Sequence, residues 1–460
     1  MVELYLNEIV EKTGGKILQG SPSALFRSFT IDSRLSQPGD LFFALIARRD
    51  GHVYISDAVR KGASGAVISQ KITAPNPDIA LIMVSDTLQA LQKLAQKVLS
   101  THKARVVGIT GSIGKTTTKE YAASLLSKSF KVLKSEGNFN NHIGLPLSIL
   151  RLQETHTIAV FEMGMSAPGE ISQLIQIAPP DIAVITNINP VHLEFFNDIE
   201  KIAQAKKEIL DGLKPGGTAV INGDDPWVRK ISKTWKGAKL FFGLSQDCEI
   251  RASNIKRMGI QGLSLELFYG DRKDRIHFPF FYTSFLYNFL AAVGVAYAFS
   301  TPVEDLFQQI QTLRPFPMRG ELRHLKNDII LIDDSYNSNP VALESVLKDL
   351  AEMPAKRRVA VLGDMLELGK QEVDYHIQAG KQVKDKNWNV LVTVGPLSRH
   401  MGEGALFAGM RKDHIFSFSN SEEAAEHIGS LLKAGDLVLV KGSRGMKTDK
   451  IAQRLKKKGT

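Results

Sequence analysis

Short apolar runs recur along most of the chain, each closed by a polar or glycine-containing turn, with helical stretches between them. Residues 105–110, 158–162, 182–186 and 218–222 are runs of this kind, and 329–332, 359–362, 390–394 and 437–440 repeat the pattern. Strands alternating with helices predict an α/β fold with largely parallel sheets and helices on both faces. Ahead of these runs, residues 1–102 mix short strands and helices and finish in a helical run at 88–100. The prolines of Arg314-Pro-Phe-Pro317 break the chain again. The expectation is three α/β domains, at 1–102, 103–313 and 314–460, with a ligand between layers.

One stretch tests the membrane alternative. Residues 278–299 carry no charge over 22 positions, and a span needs about 20. Pro279, Thr283, Ser284 and Asn288 interrupt it. Residues 276–281 read as a strand, and only 285–299 as a helix, about 22 Å long against a hydrocarbon core of about 30 Å. A buried core helix is expected. Near the start, Glu3, Glu8 and Glu11 leave no apolar core for a signal peptide. The single cysteine, Cys248, cannot form an internal disulfide and suits a reducing compartment. A cytoplasmic protein with no membrane span follows.

Composition changes little. With 43% apolar and 23% charged residues over 460 positions, chain-wide disorder is excluded. The net charge of +10, from 58 Lys and Arg against 48 Asp and Glu, favours anionic ligands, and nucleic acid is not expected. Lys456-Lys457-Lys458 reads as a solvated helix end.

The strongest chemical signal follows the first apolar run. In Gly108-Ile-Thr-Gly111-Ser112-Ile113-Gly114-Lys115-Thr116-Thr117 a strand enters glycines and then opens a helix. Glycines let backbone N–H groups wrap an anion at the helix N-terminus. Lys115 then reaches the β/γ-phosphates, and the Thr116 hydroxyl holds Mg²⁺. Ile109 stands where the standard P-loop has its first glycine, which weighs against ordinary GTPases and kinases. Glu162 ends its apolar run, and a carboxylate at the carboxyl end of a parallel strand faces the ligand crevice and suits Mg²⁺. The run at 182–186 leads through Asn187-Ile-Asn-Pro190 to His192, which is either structural or a ligand. Lysines in the charged helical segment 200–213, Lys206 among them, read as a solvated face.

Taken together, Thr110-Gly-Ser-Ile-Gly-Lys-Thr-Thr-Thr-Lys-Glu120, Glu162-Met-Gly-Met, Thr186-Asn-Ile-Asn-Pro-Val-His192 and Ala205-Lys206 resemble the ATP-dependent Mur ligases. Asp32-Ser-Arg34 and Asp50-Gly-His52 resemble the family's N-terminal domain, and Asn138-Phe-Asn-Asn-His-Ile-Gly-Leu-Pro146 its substrate loop. Asp333-Asp-Ser-Tyr-Asn-Ser-Asn-Pro340, Leu362-Gly-Asp-Met-Leu-Glu-Leu-Gly369 and Lys441-Gly-Ser-Arg444 resemble the branch that adds D-alanyl-D-alanine. The resemblance spans essentially the whole chain. It implies an N-terminal domain for a UDP-muramoyl substrate, a central P-loop ATPase domain and a C-terminal Rossmann-like domain. It also implies an ATP-dependent ligase of peptidoglycan precursor synthesis, joining D-Ala-D-Ala to UDP-MurNAc-tripeptide through an acyl phosphate, and working as a monomer.

The same resemblance implies roles. Gly111, Ser112, Ile113, Gly114, Lys115, Thr116 and Thr117 form the ATP loop. Asn288 contacts adenine, Arg319 the ATP phosphates and Asp334 the ribose. Thr116, Glu162, His192 and a carbamylated Lys206 hold two Mg²⁺ ions. Lys115, His192, Lys206 and Arg319 carry the catalysis. Ser33, Arg34, Asn140 and Asn141 hold the UDP-muramoyl substrate, and Asn337, Lys441 and Arg444 lie near the reacting peptide and incoming dipeptide. Tyr282 and Ser284 stand where the family usually has Gly and His ahead of Asn288, and Asp449 where it often has Glu.

Overall fold

The computed structural model describes residues 3–190, 196 and 198–459. Its strands fall into three main sheets. The first contains β1 (Lys16–Gln19), β2 (Ser28–Thr30), β3 (Asp40–Phe43), β4 (Gly65–Ile68) and β5 (Ala80–Met83) in the order β1-β5-β4-β3-β2, with only β1–β5 antiparallel.

The central sheet has seven parallel strands: β6 (Arg105–Thr110), β7 (Val132–Lys134), β8 (Ile158–Glu162), β9 (Ile182–Ile185), β10 (Thr218–Asn222), β11 (Ala238–Gly243) and β12 (Ile250–Arg257). Two antiparallel strands, β13 (Leu263–Tyr269) and β14 (Arg272–Phe278), extend it. The order β14-β13-β12-β11-β10-β9-β6-β8-β7 puts β6 between β9 and β8. Register sets Glu162 beside Ile109 and Ile185 beside Thr110, so three strands deliver their polar ends to one edge. Ligands bind at that edge in open α/β sheets. β8 and β9 are buried at every position, as strands covered on both faces must be.

The antiparallel extension departs from the sequence reading, which placed a strand at 276–281. The strand ends at Phe278, and its partner β13 alternates buried and half-buried side chains along its whole length. That period-two pattern marks a sheet with one covered face.

The third sheet contains β15 (Glu321–His324), β16 (Ile330–Asp334), β17 (Arg357–Gly363), β18 (Val390–Val394), β19 (Ile415–Phe418) and β20 (Asp436–Lys441). Its order is β15-β16-β20-β17-β18-β19, with β15 antiparallel and the rest parallel. β16 beside β20 sets Asp334 opposite Lys441.

Two helices organise the core. α1 (Thr87–Thr101) starts at Asp86, whose Oδ1 accepts from the N–H groups of Leu88 (2.8 Å) and Gln89 (3.0 Å). Such a cap satisfies two of the helix's orphan donors. The buried Leu91, Leu94, Ala95 and Val98 of α1 join Leu41, Phe43 and Val67 of the first sheet to Phe161, Ile171 and Leu174 of the central layers in one apolar cluster. α4 (Thr283–Ala298, the fourth helix labelled here after α2, Lys115–Leu126, and α3, Ile199–Asp211) lies against the opposite face of the central sheet. Its Phe289, Leu290 and Val293 are fully buried with Val107, Ile109, Val184 and Val220. Each such side chain contributes roughly 1.5–3 kcal/mol. α4 is 16 residues long, and no helix of the described residues is long and apolar enough to cross a membrane.

The central and third sheets meet at a buried carboxylate. Asp349, on α5 (Pro340–Ala351), is 3% exposed. It accepts from the N–H (2.8 Å) and hydroxyl (2.9 Å) of Thr283, capping α4 from outside, and from Arg257 Nη2 (2.8 Å). The basic C-terminal run also differs from its reading as a solvated end. On α6 (Asp449–Gly459), Lys456 Nζ bonds Glu321 (2.9 Å) and Asp333 (2.7 Å), pinning the helix to β15 and β16.

Removing the Asp349 carboxylate strips α4 of its cap and leaves Arg257 short of a partner. We expect Asp349→Ala to cost about 1–3 kcal/mol, seen as an earlier urea midpoint. An unchanged midpoint would show that the junction contributes nothing.

Candidate functional site

The loop between β6 and α2 is shaped by glycines where nothing else fits. Gly111 has φ +147°, and a Cβ there would strike the Thr186 hydroxyl. Gly114 has φ +87°, and a Cβ there would strike Asn288 Oδ1. Asn288, 5% exposed, thus sits against the loop at the start of α2. Gly114, at the N-cap of α2, has no side chain to cap it, which leaves the first N–H groups for an anion.

The segment after β9 braces this loop. Thr186 Oγ1 donates to Ile113 O (2.7 Å), and Asn187 both accepts from Ile113 N (2.9 Å) and donates to Ile113 O (2.9 Å). Ser112 Oγ donates to Asn189 O (3.0 Å) and accepts from Asn189 N (2.9 Å). Asn222 Nδ2, at the end of β10, holds Thr186 O (2.7 Å). Thr186, Asn187 and Asn189 belong to the segment Thr186-Asn-Ile-Asn-Pro-Val-His192, in which the sequence reading gives a role to His192 alone. Their signal was the clustering of amides and hydroxyls directly behind a parallel strand.

Lys115 Nζ folds back to Gly111 O (2.8 Å) and lies near Ser112 O (3.4 Å). Desolvation pushes its pKa down, Glu162 opposes this, and Arg319 adds to it. Thr117 is buried. Thr116 Oγ1 donates to Glu162 Oε2 (2.7 Å) and accepts from Arg319 Nη2 (3.1 Å). Glu162, 2% exposed, takes a second bond at Oε1 from Asn140 Nδ2 (2.8 Å). Ser135 Oγ meets Glu162 N at 3.2 Å. Ser135 is itself held through its carbonyl by the fully buried Lys119 (2.6 Å), which also reaches Gly137 O (3.0 Å). Lys119 lies one turn beyond Lys115 on the same face of α2, a spacing that could have singled it out.

The structure therefore brings together the loop, Glu162, Asn140, Asn288 and Arg319. Thr116 and Glu162 offer adjacent hard oxygens, the donor type Mg²⁺ selects. Among the described residues, no three His, Cys, Asp or Glu side chains converge on a metal-sized site. His192 lies outside the described residues.

Lys206 corrects the sequence reading. α3 turns it inward, to 2% exposure, rather than to a solvated face. Burial, reinforced by repulsion from Lys115, drives its pKa well below the ordinary lysine value. Its protonated form is the disfavoured one there.

A second group gathers on the third sheet. Lys441 Nζ bonds Asp334 Oδ2 (2.6 Å) and Asn337 O (3.0 Å). Burial raises the Asp334 pKa despite the opposing pull of Lys441. Arg444 is half exposed and lies 3.5 Å from Asp449. Arg34 is 85% exposed and paired with Asp32 (2.6 Å), while Ser33 is buried. Asn141 Oδ1 accepts from the N–H groups of Ile143 (3.2 Å) and Gly144 (2.9 Å), starting the short helix Gly144–Ile149.

Comparison with known proteins agrees with this arrangement. Residues 109–296 match the Mur ligase middle domain, and residues 318–444 match the Mur ligase glutamate ligase domain. The chain belongs to the Mur ligases, ATP-dependent enzymes that form amide bonds. It is 32% identical to the UDP-N-acetylmuramoyl-tripeptide–D-alanyl-D-alanine ligase of Bacillus subtilis, over 99% of each chain. The crystal structure of MurF from Acinetobacter baumannii superposes with a TM-score of 0.89 at 27% identity, over 99% of each chain. That of MurF from Thermotoga maritima in complex with ADP gives 0.82 at 30% identity, over 94% of this chain and 97% of that one. Within the Mur ligases, the family is therefore that of the UDP-N-acetylmuramoyl-tripeptide–D-alanyl-D-alanine ligases.

The state of Lys206 can be read through stability. The unfolded chain keeps a lysine pKa near 10.4, and the folded value is depressed. Below pH about 10 the unfolded state then binds a proton that the folded state does not, so stability falls as pH falls toward the folded value. In bicarbonate-free buffer we expect Lys206→Met to melt above the unsubstituted protein at pH 7, with the gap narrowing toward pH 10. An equal or lower melting temperature at pH 7 would show that the buried amine is compensated.

Proposed function

We propose that this chain joins D-alanyl-D-alanine to UDP-MurNAc-tripeptide at the expense of ATP, completing the cytoplasmic pentapeptide precursor of peptidoglycan, and that it works as a monomer. In this reading residues 1–102 hold the UDP-muramoyl end, 103–313 the ATP, and 314–460 close over both. The observation that carries it is the reach of Arg319, from the start of the third unit, onto Thr116 of the phosphate loop (3.1 Å). A nucleotide on that loop is enclosed between two units, as a ligase protecting an activated carboxylate requires.

A free carboxylate does not acylate an amine at neutral pH, because oxide is a poor leaving group. In the first step a tripeptide carboxylate oxygen bonds to the γ-phosphorus while the β–γ bridge breaks, giving an acyl phosphate and ADP. The loop amides, Lys115 and Arg319 face the charge that develops on the transferring group, and such transfer depends mainly on positioning and electrostatics. In the second step the neutral dipeptide amine forms the C–N bond, phosphate departs with the C–O electron pair, and the amine proton passes to solvent or phosphate. Exclusion of water by the closing unit protects the acyl phosphate.

Two Mg²⁺ ions, held by Thr116, Glu162, His192 and a carbamylated Lys206, would neutralise the phosphate charge. Burial, which disfavours the protonated amine of Lys206, supports the carbamate, since only the free base attacks CO₂. The carbamate replaces a costly buried amine with an anion that a cation stabilises. Asn288 and Asp334 would take adenine and ribose. Ser33, Arg34, Asn140 and Asn141 would take the UDP-muramoyl substrate, and Asn337, Lys441 and Arg444 the peptide and dipeptide.

The reading is tested by phosphate release with ATP, Mg²⁺, UDP-MurNAc-tripeptide and D-Ala-D-Ala, each omitted in turn. We expect release only with all four, together with a UDP-MurNAc-pentapeptide mass. Release with a single amino acid in place of the dipeptide would move the activity to a sister ligase. Lys115→Ala should abolish turnover. Lys206→Ala should be nearly inactive and partly rescued by short-chain carboxylates; full activity without rescue would remove the carbamate.

A further inference from the structure

Tyr336 belongs to neither group of expected site residues, yet it lies between them. It stands in the turn two residues past the end of β16, and its N–H donates to Met318 O (3.0 Å), next to Arg319. The guanidinium of Arg319 lies over its ring, 3.9 Å from the centroid. The guanidinium of Arg444 lies 5.9 Å from the same centroid, with Nη1 3.6 Å from Met318 Sδ. One ring thus serves two arginines, one reaching the phosphate loop and one rising from the turn after β20.

The chemistry makes this arrangement specific. Among the described residues, Arg319 forms no ion pair with a carboxylate. Its fixed contacts are the Thr116 hydroxyl and the face of Tyr336. A planar guanidinium stacked on an aromatic face keeps its in-plane N–H donors free. A carboxylate partner would instead occupy those donors and neutralise the charge. Stacking therefore fixes the plane and direction of Arg319 while leaving the donors that Thr116 does not take for an anion at the loop. The neighbouring Met318 has φ +61°, so the turn presenting Arg319 sits in a left-handed conformation that the Tyr336 N–H bond to Met318 O helps to hold.

We infer that Tyr336 is a positioning residue for Arg319, aiming its guanidinium at the transferring phosphoryl group. The inference rests on the phosphate role given to Arg319 in the proposed function. The ring face, not the phenol hydroxyl, does the work. Because the Arg444 turn packs on the same ring, the assembly that aims Arg319 also ties together both sides of the third unit's site.

The test is a double-mutant cycle on the full-length enzyme, reading kcat and the KM for ATP of ADP formation with all substrates present. Tyr336→Phe keeps the ring, and Tyr336→Leu removes it. We expect Tyr336→Leu to lower kcat about 10–100-fold, the scale on which small misplacements act, with the KM for ATP moving less than about threefold. Tyr336→Phe should stay within about threefold of the unsubstituted enzyme. On an Arg319→Ala background, Tyr336→Leu should add nothing, since residues acting through one group are not additive. A loss in Tyr336→Phe equal to that in Tyr336→Leu would overturn the inference, as would full additivity with Arg319→Ala. If Arg319→Ala alone turned over normally, both the inference and the phosphate role of Arg319 would fall. If it were slowed but fully additive with Tyr336→Leu, only the inference would. Should Tyr336→Leu not fold, Tyr336→Met carries the same cycle.

Discussion

A loop that is to hold a polyphosphate with its own backbone amides must be rigid before the ligand arrives. Here the segment after β9 supplies that rigidity. Both the carbonyl and the N–H of Ile113 are fixed by Thr186 and Asn187, and Ser112 is locked to Asn189 in both directions. Everything at the site is positioned from this brace: the start of α2, the Lys115 side chain, and Thr116 with its contacts to Glu162 and Arg319. Glycine at 111 is what permits the close approach, since any side chain there would occupy the place of the Thr186 hydroxyl.

Two lysines on helices covering opposite faces of the central sheet show how burial divides one residue type between tasks. Lys119 is fully buried, with the carbonyls of Ser135 and Gly137 and the carboxylate of Glu120 (3.2 Å) around its Nζ. Lys206 is buried beside another cation, and its proton is unfavourable there. The first holds a structural strap beneath Glu162. The second holds a desolvated amine with no such partners, among the described residues, to favour its proton.

Much of this was legible in the sequence. The parallel strands were readable because strands covered on both faces are nearly continuous apolar runs, and β6, β10 and β18 fall on the residues read. The loop was readable because its glycines and Lys115-Thr116 follow a strand. What was lost depended on tertiary context. The charged segment around Lys206 gives no local sign of which lysine turns inward. The role of Lys456 depends on Asp333 and Glu321, more than 100 positions away. The alternation in β13 was present in the sequence, but a mixed sheet was not sought in a chain otherwise reading as parallel. The pairing of Asp334 with Lys441, expected to serve different ligands, follows from β16 lying beside β20, an order that no local pattern reveals.

The apolar cluster around α1 bears on how the chain matures as it is made. The first sheet and α1 are synthesised within the first 101 residues, but part of the cover for α1 comes from Phe161, Ile171 and Leu174. Until those residues leave the ribosome, Leu91, Leu94 and Val98 lack some of the surfaces they finally bury. Domains tend to fold in order of synthesis. Here the leading unit cannot complete its core before the middle of the central sheet has been translated. The earliest part of the chain is thus among the later parts to reach its final packing, and in that interval it presents an apolar helix face to whatever attends the nascent chain.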